Sequence, residues 1–114
     1  MKSGGIDLAN YTYYKIASIG ELPNGERIFF EIGSKQIVLI NIGGEYFAIG
    51  DICTHDDGPL GDGDLEGYEI VCPRHGAQFD LETGKALCLP AVVDIPAYPV
   101  RVVGQDVQVG LPPF

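Results

Sequence analysis

Hydrophobic and polar positions along this chain follow short runs that suit strands, not the longer period of an amphipathic helix. Tyr11, Tyr13 and Tyr14 open the first run. A second, Glu26 to Ile32, lies between the turn signals Pro23-Asn24-Gly25 and Gly33. Gln36 to Ile42 is a β-branched run ending at Gly43-Gly44, and Glu45-Tyr46-Phe47-Ala48-Ile49 follows at once. Two such runs across a two-glycine turn predict a hairpin. Tyr98 to Val103 and Asp106 to Val109 flank Gly104-Gln105 and predict another. Phe29, Phe30, Tyr46 and Phe47 are read as strand core or strand surface, and the opening tyrosines as packing. No helix of useful length, internal repeat or low-complexity tract is predicted.

Between the strand-rich ends, residues 51–91 are rich in Gly, Asp and Pro and hold every cysteine and both histidines. A long irregular segment inside a compact domain needs an organiser, and the cysteines point to a metal. The expectation is all-β: one domain over 1–114, with an antiparallel base domain at about 11–50 and 92–111. A loop-rich, metal-organised subdomain at about 51–91 is inserted into it.

Composition narrows the function. A chain of 114 residues, 46% hydrophobic, suits one domain with its own core. Sixteen acids against seven bases give a net charge of −9. Such a surface disfavours nucleic acid and anionic membranes, and it suits docking on a basic protein face. Met1 to Asp7 lacks the apolar run of a secretory signal, and Ile37-Val38-Leu39-Ile40 is far too short to span a membrane. Three cysteines are too few for a disulfide scaffold. A cytoplasmic monomer is expected.

The chemistry lies in Cys53-Thr54-His55 and Cys72-Pro73-Arg74-His75, the pattern C-x-H-x16-C-x2-H. Thiolate and neutral imidazole are the softer ligands that proteins offer to iron and zinc. Zinc fingers commonly group two cysteines before two histidines, whereas here each loop supplies one of each. A zinc-stabilised binding module and a two-iron centre both remain open on the residues alone.

The alternation resembles the Rieske family, whose signature is C-x-H and C-x2-H at about this separation. Gly76, Phe79, Thr83-Gly84-Lys85 and Leu89-Pro90-Ala91 extend the resemblance. It implies one [2Fe–2S] cluster, with Cys53 and Cys72 on one iron and His55 and His75 on the other. With two thiolates the oxidised centre is neutral, and with four it is a dianion, so mixed ligation raises the reduction potential.

Departures from the high-potential branch all run in one direction. Gly58 and Arg74 stand where that branch carries a disulfide, Ala77 where it carries a serine donor, and Phe79 where it carries a tyrosine. A low-potential cluster is implied, as in ferredoxin components of bacterial aromatic-ring dioxygenases. The implied partners are a flavin-dependent reductase as donor and a terminal oxygenase as acceptor. A Rieske-like small subunit of nitrite reductase is the other reading. Only two histidines are present, too few for a mononuclear iron as well, and no dinucleotide fingerprint appears. The chain is therefore read as an electron carrier and not an enzyme. Cys88 is expected to be a small core residue, and Asp56 and Asp57 a solvated loop. Leu60, Pro90 and Ala91 are expected to shield the cluster, and Arg74 to meet a partner carboxylate or Asp80.

Overall fold

The computed structural model describes residues 10–51, 60–73, 76–88 and 93–113, the side chain of Cys88 excepted. Eleven strands among them form three antiparallel sheets. The first has the order β1 (Thr12–Ser18), β11 (Asp106–Leu111), β10 (Val100–Val103). The second runs β2 (Arg27–Ile32), β3 (Lys35–Ile42), β4 (Glu45–Gly50), β9 (Ala97–Tyr98). The third runs β5 (Asp64–Glu66), β6 (Glu69–Val71), β7 (Gln78–Asp80), β8 (Ala86–Cys88). One short 3-10 turn, Ile19–Glu21, follows β1.

The second sheet lies in the middle, and this explains the unbroken aliphatic run of β3. Successive strand residues face opposite sides, so a strand covered on both faces reads as continuously apolar. Ile37, Leu39 and Ala48 pack with Val107, Val109 and Leu111 of the first sheet. Val38, Ile40 and Ile49 pack with Ile70 and Phe79 of the third and with Leu81 just after β7. The predicted hairpin joins β3 to β4, with Gly43 and Gly44 at φ of 62° and 94°. Those left-handed values carry the twist of a tight two-residue turn, and a Cβ would strain them.

Two expectations change in detail. The predicted strand from Tyr98 to Val103 is two strands, because Pro99 cannot donate to a ladder. Ala97–Tyr98 pairs with β4 in the middle sheet, and Val100–Val103 pairs with β11 in the first. The segment 51–91, expected to be irregular, contains the whole third sheet. Its strands are only three residues long, which leaves too little alternation to read from sequence.

Candidate metal centre

Of the four expected ligands, Cys72 lies among the described residues, while Cys53, His55 and His75 lie outside them. Cys72 directly follows β6 and is buried in a core with Leu60, Ile70, Ala77, Phe79 and Leu81. Its N–H donates to the Ala77 carbonyl at 2.6 Å, and its carbonyl accepts from Gly76 N–H at 3.0 Å. These two bonds close a short reversal between β6 and β7, from Cys72 to Ala77. Phe79 is cross-strand partner to Ile70 on one side and Ala86 on the other. Ala77 and Phe79, fully buried in the same cluster as Cys72, bring a methyl and a phenyl ring there and no hydroxyl.

The flanks of the other ligand segment are also described. Asp51 follows β4, and its N–H donates to the Gln36 carbonyl at 2.8 Å. Its Oδ1 accepts from the N–H groups of Leu60 at 3.0 Å and Gly61 at 2.5 Å. One carboxylate thus spans segment 52–59, which contains Cys53 and His55. Arg27 Nη1 donates to the carbonyl of Gly63 at 2.7 Å and to that of Gly61. Gly63 in turn lies so close to Val71 that a Cβ would collide with the Val71 carbonyl oxygen.

A third segment, 89–92, leaves from β8, and its return is tied back to the same sheet. Ile95 N–H donates to the Gly84 carbonyl at 2.8 Å, and Asp94 Oδ1 accepts from Ala86 N–H at 2.8 Å. Gly63, after segment 52–59, lies against Val71, and Cys88, before segment 89–92, pairs with Gln78. Both therefore lie at the β6–β7 end of the third sheet, while the return of 89–92 at Asp94-Ile95 runs to Ala86 and Gly84. The turns at Gly67-Tyr68 and 81–85 lie at the other end of the sheet. Two adjoining clefts occupy that second end, both lined by Glu45, Phe47 and Glu82. Neither cleft is lined by Cys72, the candidate ligand among the described residues.

The remaining sequence readings divide similarly. Leu60, expected to shield the cluster, is buried in the same core cluster as Cys72. Asp80 Oδ1 accepts from Glu82 N–H at 2.8 Å and Thr83 N–H at 3.0 Å, so that oxygen shapes the β7–β8 turn. Arg74, its expected partner, lies outside the described residues, as do Asp56, Asp57, Gly58, Pro90 and Ala91. Cys88 ends β8, with its side chain outside the description. Asp51 and Arg27 were missed by sequence reasoning. The available signals were an acid two residues before Cys53 and the Gly61-Asp62-Gly63 triplet.

Among the described residues no three metal-binding side chains come together, as three of the four expected ligands require. Cys72 nevertheless fits an iron–sulfur centre: a buried sulfur on a tight reversal, walled by apolar side chains that exclude water. Residues 12–99 match the family described as the Rieske [2Fe-2S] domain. The chain belongs to the Rieske family.

Its relatives agree. The ferredoxin subunit of 3-phenylpropionate/cinnamic acid dioxygenase from Escherichia coli is 44% identical over 95 residues, 82% of this chain and 89% of that protein. The ferredoxin component of a naphthalene 1,2-dioxygenase system from Pseudomonas aeruginosa is 41% identical over 91 residues, 80% of this chain and 88% of that one. The ferredoxin of carbazole 1,9a-dioxygenase from Nocardioides aromaticivorans superposes with a TM-score of 0.80 at 30% identity, over 86% of this chain and 96% of that one. A complex of reduced oxygenase and oxidised ferredoxin from carbazole 1,9a-dioxygenase matches with a TM-score of 0.78 at 28% identity. That match covers 85% of this chain and 91% of the other. One Rieske-type [2Fe–2S] cluster is therefore this chain's cofactor, and its relatives are electron-transfer components and not catalytic subunits. No helix among the described residues is long and apolar enough to cross a membrane.

Proposed function

We propose that this chain is a low-potential Rieske ferredoxin, acting as a cytoplasmic monomer. It carries single electrons from a flavin-dependent reductase to a terminal, aromatic-ring-hydroxylating oxygenase. The observation that carries this reading is the buried Cys72 at the β6–β7 reversal, inside a chain whose relatives are dioxygenase ferredoxins. Cys53 and Cys72 would hold one iron, and His55 and His75 the other. The third sheet and its loops, about 51–91, form the cluster-binding subdomain on a base of the other two sheets. When bound, the cluster supplies a reversible one-electron couple.

The protein's own residues set the terms of that couple. Leu60, Ala77 and Phe79 exclude water on the Cys72 side. With no hydroxyl from Ala77 or Phe79, two potential stabilisers of the more negative reduced state are missing, which supports a low potential. The net charge of −9 favours encounter with basic faces on both partners. Two partners using one carrier need weak, short-lived complexes, which small polar interfaces provide.

The test is spectroscopic. The purified protein is expected to be reddish-brown and EPR-silent, then to give a mixed-valent signal on reduction. His75→Ala is expected to lose the visible spectrum and Cys88→Ala to keep it. A colourless protein binding one zinc per chain would overturn the reading, and so would loss of colour in the Cys88→Ala protein.

A further inference from the structure

We propose that Arg27 and Asp51 are positioning residues for the cluster, acting through the turn at residues 60–63. The inference rests on the ligand assignment above. Asp51 stands immediately before segment 52–59, and its Oδ1 takes the first two amides after it, Leu60 and Gly61. A charged acceptor bonded to two backbone N–H groups is stronger than a neutral turn contact. It also holds the two ends of segment 52–59 together, so the folded scaffold bears the closure entropy of the loop that carries two expected ligands.

Arg27 grips the same turn through its other backbone groups. Its guanidinium, part-buried on β2, donates to the carbonyls of Gly61 and Gly63. Amides held by an acid and carbonyls held by a base leave the turn little freedom to rotate. The middle sheet supplies both grips: Arg27 from β2, and Asp51 from the end of β4, where its own N–H is tied to Gln36 at the start of β3.

The turn also touches the second ligand loop. A Cβ at Gly61 would strike the Phe29 ring, and it would lie 2.9 Å from the Asp51 carboxylate. A Cβ at Gly63 would strike the carbonyl of Val71, the residue before Cys72. Glycine at both positions lets the turn lie between the clamp and the β6 backbone. The clamp therefore joins the return of one expected ligand loop to the start of the other, and it acts through backbone groups.

The experiment uses the whole cluster-loaded protein, with cluster loss followed by visible absorbance in excess EDTA, alongside the midpoint potential. Asp51→Ala and Arg27→Met are expected to lose the cluster at least about tenfold faster, equivalent to about 1.4 kcal/mol in the barrier, and to shift the potential. Asp51→Asn keeps an Oδ1 acceptor but loses its charge, so its loss rate is expected to fall between those of the unsubstituted protein and Asp51→Ala. Tyr68→Phe is the control: it removes a hydrogen bond to Glu45 at the far end of the third sheet and should leave both readouts unchanged. An Asp51→Ala protein with unsubstituted rate and potential overturns the proposal. So does a Tyr68→Phe protein that sheds its cluster as fast as Asp51→Ala, because the effect would then be general destabilisation. If Asp51→Ala does not accumulate folded, Arg27→Met carries the same comparison. Failure of the ligand assignment looks different: a Cys53→Ala protein would keep the cluster. In that case the clamp is still read by amide exchange at Leu60 and Gly61, expected to be at least about tenfold faster in Asp51→Ala.

Discussion

Single side chains in this fold answer specific backbone groups. Asn41 is buried, yet its amide N–H donates to the Leu22 carbonyl at 2.8 Å and its Oδ1 accepts from Gly44 N–H at 2.9 Å. Tyr68 donates to Glu45 Oε1 at 2.7 Å, joining the third sheet to the middle one, with its ring against Phe47. That hydrogen bond, with the negative charge of Glu45, raises the Tyr68 pKa above the usual tyrosine value. Burial raises Tyr98 as well, with a smaller contribution from Tyr11. Both shifts favour the protonated phenol in the fold. Their stabilisation is complete below the unfolded tyrosine value and is lost as pH rises through the higher folded ones. Titration of phenolate absorbance is expected to show two tyrosines ionising late. Tyr68→Phe should remove one late step and leave that of Tyr98.

At the scale of elements, glycines that look alike in sequence differ sharply in consequence. Gly63 lies against the Val71 carbonyl, so Gly63→Ala must push β5 away from β6. The expected destabilisation is about 2 kcal/mol, read by urea unfolding. Gly20 has open space around its Cβ position and no positive φ, and Gly20→Ala is expected to change stability by less than about 0.5 kcal/mol. Equal losses in the two variants would show that the close approach at Gly63 is relieved without cost. The β3–β4 hairpin was legible because six or more residues per strand and two glycines carry a local signal. The third sheet was not legible, because three-residue strands gain their stability from the layer beneath, through Ile70, Phe79 and Leu81.

For the whole molecule, the outward positions of the third sheet carry Asp64, Glu66, Glu69 and Asp80. Glu66 faces Glu69 across one ladder, and Glu69 faces Asp80 across the next. Like charges directly opposite one another destabilise a sheet. Salt should therefore raise the melting temperature from low ionic strength while slowing electron transfer to a basic acceptor such as cytochrome c. Calorimetry and stopped-flow absorbance read the two effects. Opposite signs are expected, and a rate that stays flat with salt would remove charge steering from the account.

The order of residues along the chain was enough to determine the all-β class, both hairpins and the alternating Cys/His pairs. Strand periodicity, turn glycines and ligand spacing act over a few neighbouring positions, so they survive in one dimension. The three-layer arrangement was decided only in three dimensions, as were the burial of Cys72 and the grip of Arg27 and Asp51 on the turn at residues 60–63. Those depend on contacts between residues such as Arg27 and Gly63, which are far apart in sequence and brought together by packing. No local pattern encodes which distant carbonyl a guanidinium will meet.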